Sequence, residues 1–234
     1  MKAVSWHEWR VNAARAREIQ LELAAQVSRV GKVNNPHLIA GVDISVNKKK
    51  DMGTGAVVVL SFPELELVET RVVIDRLEFP YVPGLLSFRE SPLILAACER
   101  LSVTPDLIMV DGQGIAHPRR IGLASHLGLI LGIPTIGCAK SRLCGRHDIP
   151  ENEPGSFTDL IDEGEVIGAV LRTKENVKPV YVSVGHKVEL LMAVHWVTVC
   201  CRGYRLPEPT RLAHQAAGGN LKTEKHRTLI KAGY

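Results

Sequence analysis

The amino-acid sequence predicts an α/β fold built on one mixed sheet with helices on both faces. Strand-like apolar runs fill 38–77, broken only by short polar turns, which is the pattern of an antiparallel meander. From about residue 91 onward, helix-length segments alternate with short apolar runs of the kind that form buried strands. The chain has 234 residues, 45% of them hydrophobic, which suits a single domain over 1–234 with an ordinary core.

Residues 4–30 are expected to be helical, because Trp9, Ala13, Ala16, Gln20, Leu23, Val27 and Val30 recur every three or four positions with charges between them. Asn34, Asn35 and Pro36 then make a turn, so that 1–35 form an N-terminal helix and linker. Strands follow at 38–46 (LIAGVDISV), 54–62 and 65–77, joined by the polar turn 47–53 and split by Pro63 and Glu64. A helix is expected at 91–101, with Ser91 as N-cap and Pro92 in the first helical position. A second helix spans 114–132, where Gly132 stops it and Pro134 follows. Buried strands at 105–112 and 134–140 flank that helix. Residues 145–164, rich in Pro, Gly and acids, read as a surface loop. Two more strands at 165–173 and 178–186 precede an apolar helix at 188–201, and the basic stretch 218–234 is expected to fray.

Composition sets limits on function. The net charge of +4 permits a nucleic-acid partner without requiring one. The five cysteines (Cys98, Cys138, Cys144, Cys200 and Cys201) are odd in number and match no zinc spacing, as expected for reduced thiols in a cytoplasmic protein. No apolar run reaches the ~18 residues of a membrane span. The opening MKAVSWHEWRVNAARAREIQ carries charges in place of the apolar core of a secretory signal.

Two carboxylates stand where an apolar strand should have none. Asp43 interrupts LIAGVDISV, and Asp111 ends the run Leu107, Ile108, Met109, Val110. A buried carboxylate costs several kcal/mol unless it is paired or bound to a cation. If their strands are neighbours, the two acids come within reach of one ion, and oxygen ligands of this kind suit Mg²⁺ or Mn²⁺. Each acid also has a local alternative: Asp111 could cap the Gly112–Gly114 turn, and Asp43 could pair with Lys140. Glu90 is either a third ligand, a base acting beside the ion, or a helix N-terminal acid. Lys140 ends its own strand and could steady the carboxylates, hold a phosphate or face solvent.

The segment PYVPGLLSFRE (80–90) fixes Tyr81 between Pro80 and Pro83, a stiff loop that presents one aromatic ring. Gly112 and Gly114 let the backbone approach a ligand closely. The helix expected to open at Pro118, flanked by Arg119 and Arg120, would make an anion site, with a plain strand-to-helix turn as the alternative.

Four blocks in order, PYVPGLLSFRE (80–90), PDLIMVDGQGIAHPRRIGLASHLGL (105–129), PTIGCAKSRLCG (134–145) and GYRLPEPTRLAH (203–214), resemble the endonuclease V family, the deoxyinosine-directed repair nucleases. The resemblance runs from about Ile39 to His214. It implies a ribonuclease H-like fold and a Mg²⁺ site (Mn²⁺ can substitute) held by Asp43, Asp111 and Glu90, with Lys140 and His214 completing the catalytic set. It places a DNA wedge on Tyr81 with Pro80 and Pro83, and a main-chain pocket for the extruded base at Gly84, Leu86, Gly112 and Gly122. Gln113 stands where the family often has histidine.

By resemblance, DNA containing deoxyinosine is the substrate, cut at the second phosphodiester 3′ of the lesion to leave 3′-hydroxyl and 5′-phosphate ends. Extruding a base costs a few kcal/mol, and a pre-stiffened ring that fills the gap recovers part of it by stacking. Arg89, Arg119, Arg120 and Arg142 are candidate phosphate contacts, with Lys187, Arg205 and Arg211 behind them. The expected protein is a monomer without a membrane partner or a small-molecule cofactor. An inosine-specific ribonuclease of the same fold and a non-cleaving binder of deaminated nucleic acid are the alternatives.

Overall fold

A computed structural model describes residues 1, 4–47 and 49–221, so the tail expected beyond residue 218 lies mostly outside the described residues. The strands are β1 (Leu38–Asn47), β2 (Met52–Ser61), β3 (Leu67–Arg76), β4 (Leu107–Val110), β5 (Thr135–Ala139), β6 (Phe157–Asp162), β7 (Glu165–Leu171) and β8 (Val180–His186). The helices are α1 (Ala13–Ala24), α2 (Leu86–Glu99), α3 (Leu123–Leu131), α4 (Leu190–Val199) and α5 (Glu208–Ala217). The strands form one eight-stranded sheet in the order β3-β2-β1-β4-β5-β8-β7-β6. β1 to β3 are the antiparallel meander, β4 runs parallel to both β1 and β5, and β8, β7 and β6 return antiparallel. This is the mixed, ribonuclease H-like α/β architecture expected from the sequence.

Strand alternation divides the core between the two faces. On one face Ile39, Leu107, Met109, Ile136 and Cys138 pack with Ala193 and Val194 of α4 and Ala213 and Ala216 of α5. On the other, Ala40, Val42, Ile108 and Val110 pack with Leu93 and Ile94 of α2 and Leu123 and Leu127 of α3. β1 and β4 bury residues of both parities, which is why they read as continuous apolar runs rather than alternating ones. α1 lies outside this sandwich and covers Phe79, Leu85, Phe88, Ile121 and Leu129 through Ala16, Ile19 and Leu23.

Several expected boundaries move, each for a local reason. The first helix is α1 alone, not 4–30: the Asn12 side chain caps it by accepting from the Arg15 N–H at 2.9 Å. Upstream, the chain is tied down as a strap, with the Val4 N–H donating to the Ile130 carbonyl and the Trp6 indole to that of Leu129. Downstream, the Ser28 N–H is taken by His186 Nδ1 at 3.1 Å, so a tertiary contact replaces the helical one. α2 begins at Leu86 instead of Ser91, and Pro92 sits inside it. Burial of Leu85 and Phe88 outweighs the helix bond that proline cannot make. α3 begins at Leu123 instead of 114, so Pro118 does not open a helix. Before it the chain folds on itself, with the Gly122 N–H donating to the Gly114 carbonyl. The loop expected at 145–164 contains β6, which hairpins with β7 through a turn at Glu163 and Gly164. None of the described helices is long and apolar enough to cross a membrane.

Candidate active site

The site begins with register. β1 and β4 are parallel, with Val42 opposite Val110, so the next residues along each strand, Asp43 and Asp111, emerge side by side. By alternation both belong with Ile39, Leu107 and Met109, on the α4/α5 face. α5 comes down onto β1 at Gly41, where a Cβ would lie 1.9 Å from the Pro209 carbonyl oxygen, so only glycine admits the helix. That approach delivers His214, whose Nδ1 donates to Asp43 Oδ2 at 2.7 Å. Lys140, just past β5, makes an ion pair with Asp111. Asp43 therefore does not pair with Lys140: its partner is His214, and the lysine takes the neighbouring acid. Arg205 holds the backbone behind Lys140 by donating to its carbonyl at 2.6 Å.

Ligand atoms of Asp43, Asp111 and His214 all lie within 4.8 Å of one another, a group able to surround one ion. Glu90 stands outside that trio but close enough to feel it. Burial, then the charges of Asp43 and Asp111, push its carboxyl up to about 8. The Asp43 carboxyl is also raised, first by burial and then by Asp111, against the lowering effect of the His214 hydrogen bond. Carboxylates gathered so tightly repel one another, and a divalent cation is the natural counter-charge. The donor set of two aspartates with one imidazole, and a third carboxylate beside them, fits Mg²⁺ or Mn²⁺. His214 is 60% exposed at its side chain, so the centre opens to solvent and to a large substrate.

Next to this centre is a pocket of about 400 Å³ lined by Asp111 and Lys140 together with Tyr81 and Pro83. Gly84, Leu86, Gly112 and Gly122 all line it, so the expected base-pocket residues share one cavity with Asp111 and Lys140. Tyr81 is 71% exposed at its rim, and Pro80 beside it is exposed too, an arrangement no core tyrosine would have. Both polar groups of Gly122 are used within the chain, the N–H by Gly114 and the carbonyl by His126. Its contribution to the pocket is shape.

The basic residues divide. Arg142 lines the pocket beside Lys140. Arg89 is buried and donates to the Phe79 carbonyl and to Asp51. Arg119 donates to Gln20 and to the Gly84 carbonyl, and Arg120 pairs with Asp162 and Glu165. Lys187 donates to the Gly132 carbonyl, and Arg211 pairs with Glu208 and stacks over Tyr204. These side chains are thus engaged in holding the fold.

Among the pocket-lining residues that the sequence reading left without a role, His117 and Gln20 carry the hydrogen bonds that hold the pocket. His117 sits in the block AHPRR without an assigned role, yet it is buried against the pocket. The Arg119 N–H donates to its Nδ1, so Nε2 carries the proton and donates to the Gly84 carbonyl at 3.0 Å. Burial, then Arg119, lower its pKa to about 4, which keeps the ring neutral. Gln20 is the other, and its signal was visible: it is the polar member of the otherwise apolar stripe of the first helix.

A ribonuclease H-like sheet with paired acids at adjoining strand ends defines a broad class of fold and site. Comparison with known proteins narrows it. Residues 21–215 match the family model for endonuclease V. The endonuclease V of Gloeobacter violaceus is 54% identical over 215 residues, covering 91% of this chain and 87% of that protein. The crystal structure of endonuclease V from Streptomyces avermitilis superimposes with a TM-score of 0.86 at 40% identity, covering 91% of this chain and 94% of the other. That of Ciona intestinalis endonuclease V, in complex with a 23-mer DNA containing an inosine followed by a ribo-adenosine, gives 0.76 at 28% identity, over 90% and 98% of the two chains. The chain belongs to the endonuclease V family.

Proposed function

We propose that this protein is a DNA repair endonuclease that recognises deoxyinosine and hydrolyses the second phosphodiester 3′ of it, leaving 3′-hydroxyl and 5′-phosphate ends. The observation that carries the reading is the shared cavity: a pocket rimmed by an exposed tyrosine reaches, without interruption, an aspartate of the acid centre. Binding of inosine-containing DNA by the Ciona relative supports the substrate class.

In this reading Tyr81 enters the stack as the altered base leaves it, and the base occupies the cavity between Gly84, Leu86, Gly112 and Gly122. Asp43, Asp111 and His214 would hold one Mg²⁺ or Mn²⁺, with Glu90 in place for a third carboxylate contact. When bound, such an ion activates water and stabilises charge developing on the phosphate. The chain's own residues supply the rest. Glu90, buried beside the two aspartates, is the candidate base. His214 orients Asp43, and Lys140 holds Asp111 while offering a cation to the phosphate. In this reading the pocket holds the base and the acid centre cuts the backbone, so the base is read at one nucleotide and the phosphodiester cut at another.

The test is cleavage of a duplex carrying one deoxyinosine, with and without Mg²⁺. A single nick at the second 3′ phosphodiester, only with the metal, is expected; cutting that ignores the inosine would overturn the reading. A ribonuclease reading has one specific observation behind it, the ribo-adenosine that follows inosine in the DNA bound by the Ciona protein. Matched DNA and RNA strands assayed in parallel decide between them.

A further inference from the structure

We propose that Gln20 is a positioning residue for base selection: from α1 it fastens the Tyr81 loop to the pocket-lining segment that leads into α3, which makes the N-terminal helix a working part of the site. The proposal rests on the inosine reading above for the identity of the base, and on geometry for the rest.

Gln20 is 1% exposed. Its Nε2 donates to the Gly84 carbonyl at 3.0 Å and, at 3.4 Å, to the Ile121 carbonyl just before α3. Its Oε1 accepts from Arg119 Nε at 2.5 Å. Arg119 Nη2 and His117 Nε2 donate to the same Gly84 oxygen, at 2.7 and 3.0 Å. One carbonyl thus receives donors from Gln20, His117 and Arg119. An oxygen with two lone pairs so occupied has nothing left for a ligand, so its purpose is to be held. Gly84 has φ +77°, follows Pro83 directly and sits at the start of the turn into α2, where the Leu85 N–H donates to the Val82 carbonyl at 2.9 Å. The peptide between Gly84 and Leu85 is therefore pinned at both ends.

The consequence is a fixed gap. Tyr81, Pro83 and Leu86, on the chain around that peptide, line the pocket together with Gly122 and Leu123, which follow Ile121. Gln20 bonds both segments from outside, beside the direct bonds that His117 and Arg119 of the segment before α3 make to the same Gly84 carbonyl. A flat base is selected by the width of its slot and the placement of slot-wall groups, so loosening this bond lets other bases fit. The acid centre is held differently, by strand register and α5, and does not depend on Gln20.

The test compares wild type with Gln20→Leu, which removes both ends of the bridge at similar volume, and Gln20→Glu, which keeps the acceptor for Arg119 but loses the donors. Two quantities are read: amide hydrogen exchange in residues 80–88, and the ratio of nicking at inosine to nicking of the same duplex with adenine. In both variants exchange in 80–88 should quicken by about tenfold and the ratio should fall by about tenfold, the worth of one or two buried hydrogen bonds. Mn²⁺ affinity and the exchange of β1 and β4 should not change. A folded variant with wild-type exchange and ratio would overturn the proposal. So would faster exchange across the whole sheet, which makes Gln20 a general stability residue. If Gln20→Leu does not fold, Gln20→Glu carries the same readouts. If the wild type does not distinguish inosine from adenine, the substrate reading fails and exchange in 80–88 alone judges the clamp.

Discussion

The acid centre and the cavity beside it adjoin, yet they are built in opposite ways. Asp43 and Asp111 take their places from regular structure: two parallel strands in register, closed from above by a helix that needs Gly41 to reach them. The pocket is built from irregular chain, a proline-stiffened loop and the segment before α3, held by side-chain bonds to single carbonyls. Regular structure is cooperative and stiff, so the centre resists small disturbances and fails completely when a ligand is lost. Irregular structure is pinned point by point, so the pocket is expected to lose selectivity by degrees.

The sharpest break should come at the centre. Asp111→Asn keeps the shape but removes charge where a cation is expected to bind; at several kcal/mol of charge stabilisation, nicking in Mg²⁺ should fall by on the order of 10³-fold while DNA binding persists. Single-turnover cleavage beside a binding titration measures both. Gly41→Val drives α5 off β1, since its side chain cannot share space with the Pro209 carbonyl. Overpacking of this kind costs about 1–3 kcal/mol, and because His214 moves with the helix, activity and thermal stability should drop together. A loss of stability without loss of activity would detach α5 from the chemistry.

Acid offers a different lever, in the aromatic cluster of His7, Trp9, Phe88 and His126. His126 is fully buried, with Nε2 2.7 Å from His7 Nε2, and burial, then His7, lower its pKa to about 3. A lowered folded-state value means that the unfolded chain binds the proton first, so this contribution to stability is whole above pH ~6.5 and lost as pH falls towards 3. Between pH 7 and 5 the loss through this group should be roughly 2 kcal/mol. Denaturant melts of His126→Leu should show a shallower acid limb than wild type, and parallel limbs would refute the assignment. The mildest change is Tyr81→Ala. The ring is 71% exposed, so the melting temperature should hold. Discrimination of inosine from adenine sites should fall about tenfold, within the 1–3 kcal/mol of a stacking contact.

The same contrast explains what the sequence disclosed. Asp43 and Asp111 were legible because a charge inside an apolar run is conspicuous, and strand parity then puts both on one face. The meander and the later strands were legible from period and turn residues. The starts of α2 and α3 were not, because Ser91–Pro92 and Pro118 look like helix openings, while burial of Leu85 and the fold of 114–122 decide otherwise. β6 was hidden in a segment whose composition reads as loop. Gln20 and His117 act through carbonyls of distant residues, and no local pattern records which carbonyl a buried amide will find. The pairing of Lys140 with Asp111 and of His214 with Asp43 likewise depends on how β5 and α5 land on the sheet, beyond anything spacing can give.

Diffraction from crystals soaked in Mn²⁺, recorded near the manganese edge, tests the acid centre most directly. An anomalous peak is expected within coordination distance of both Asp43 and Asp111, beside His214, and absent in Asp111→Asn. Carboxylates that stay empty at millimolar Mn²⁺, or a peak bound elsewhere while the enzyme still nicks, would contradict it.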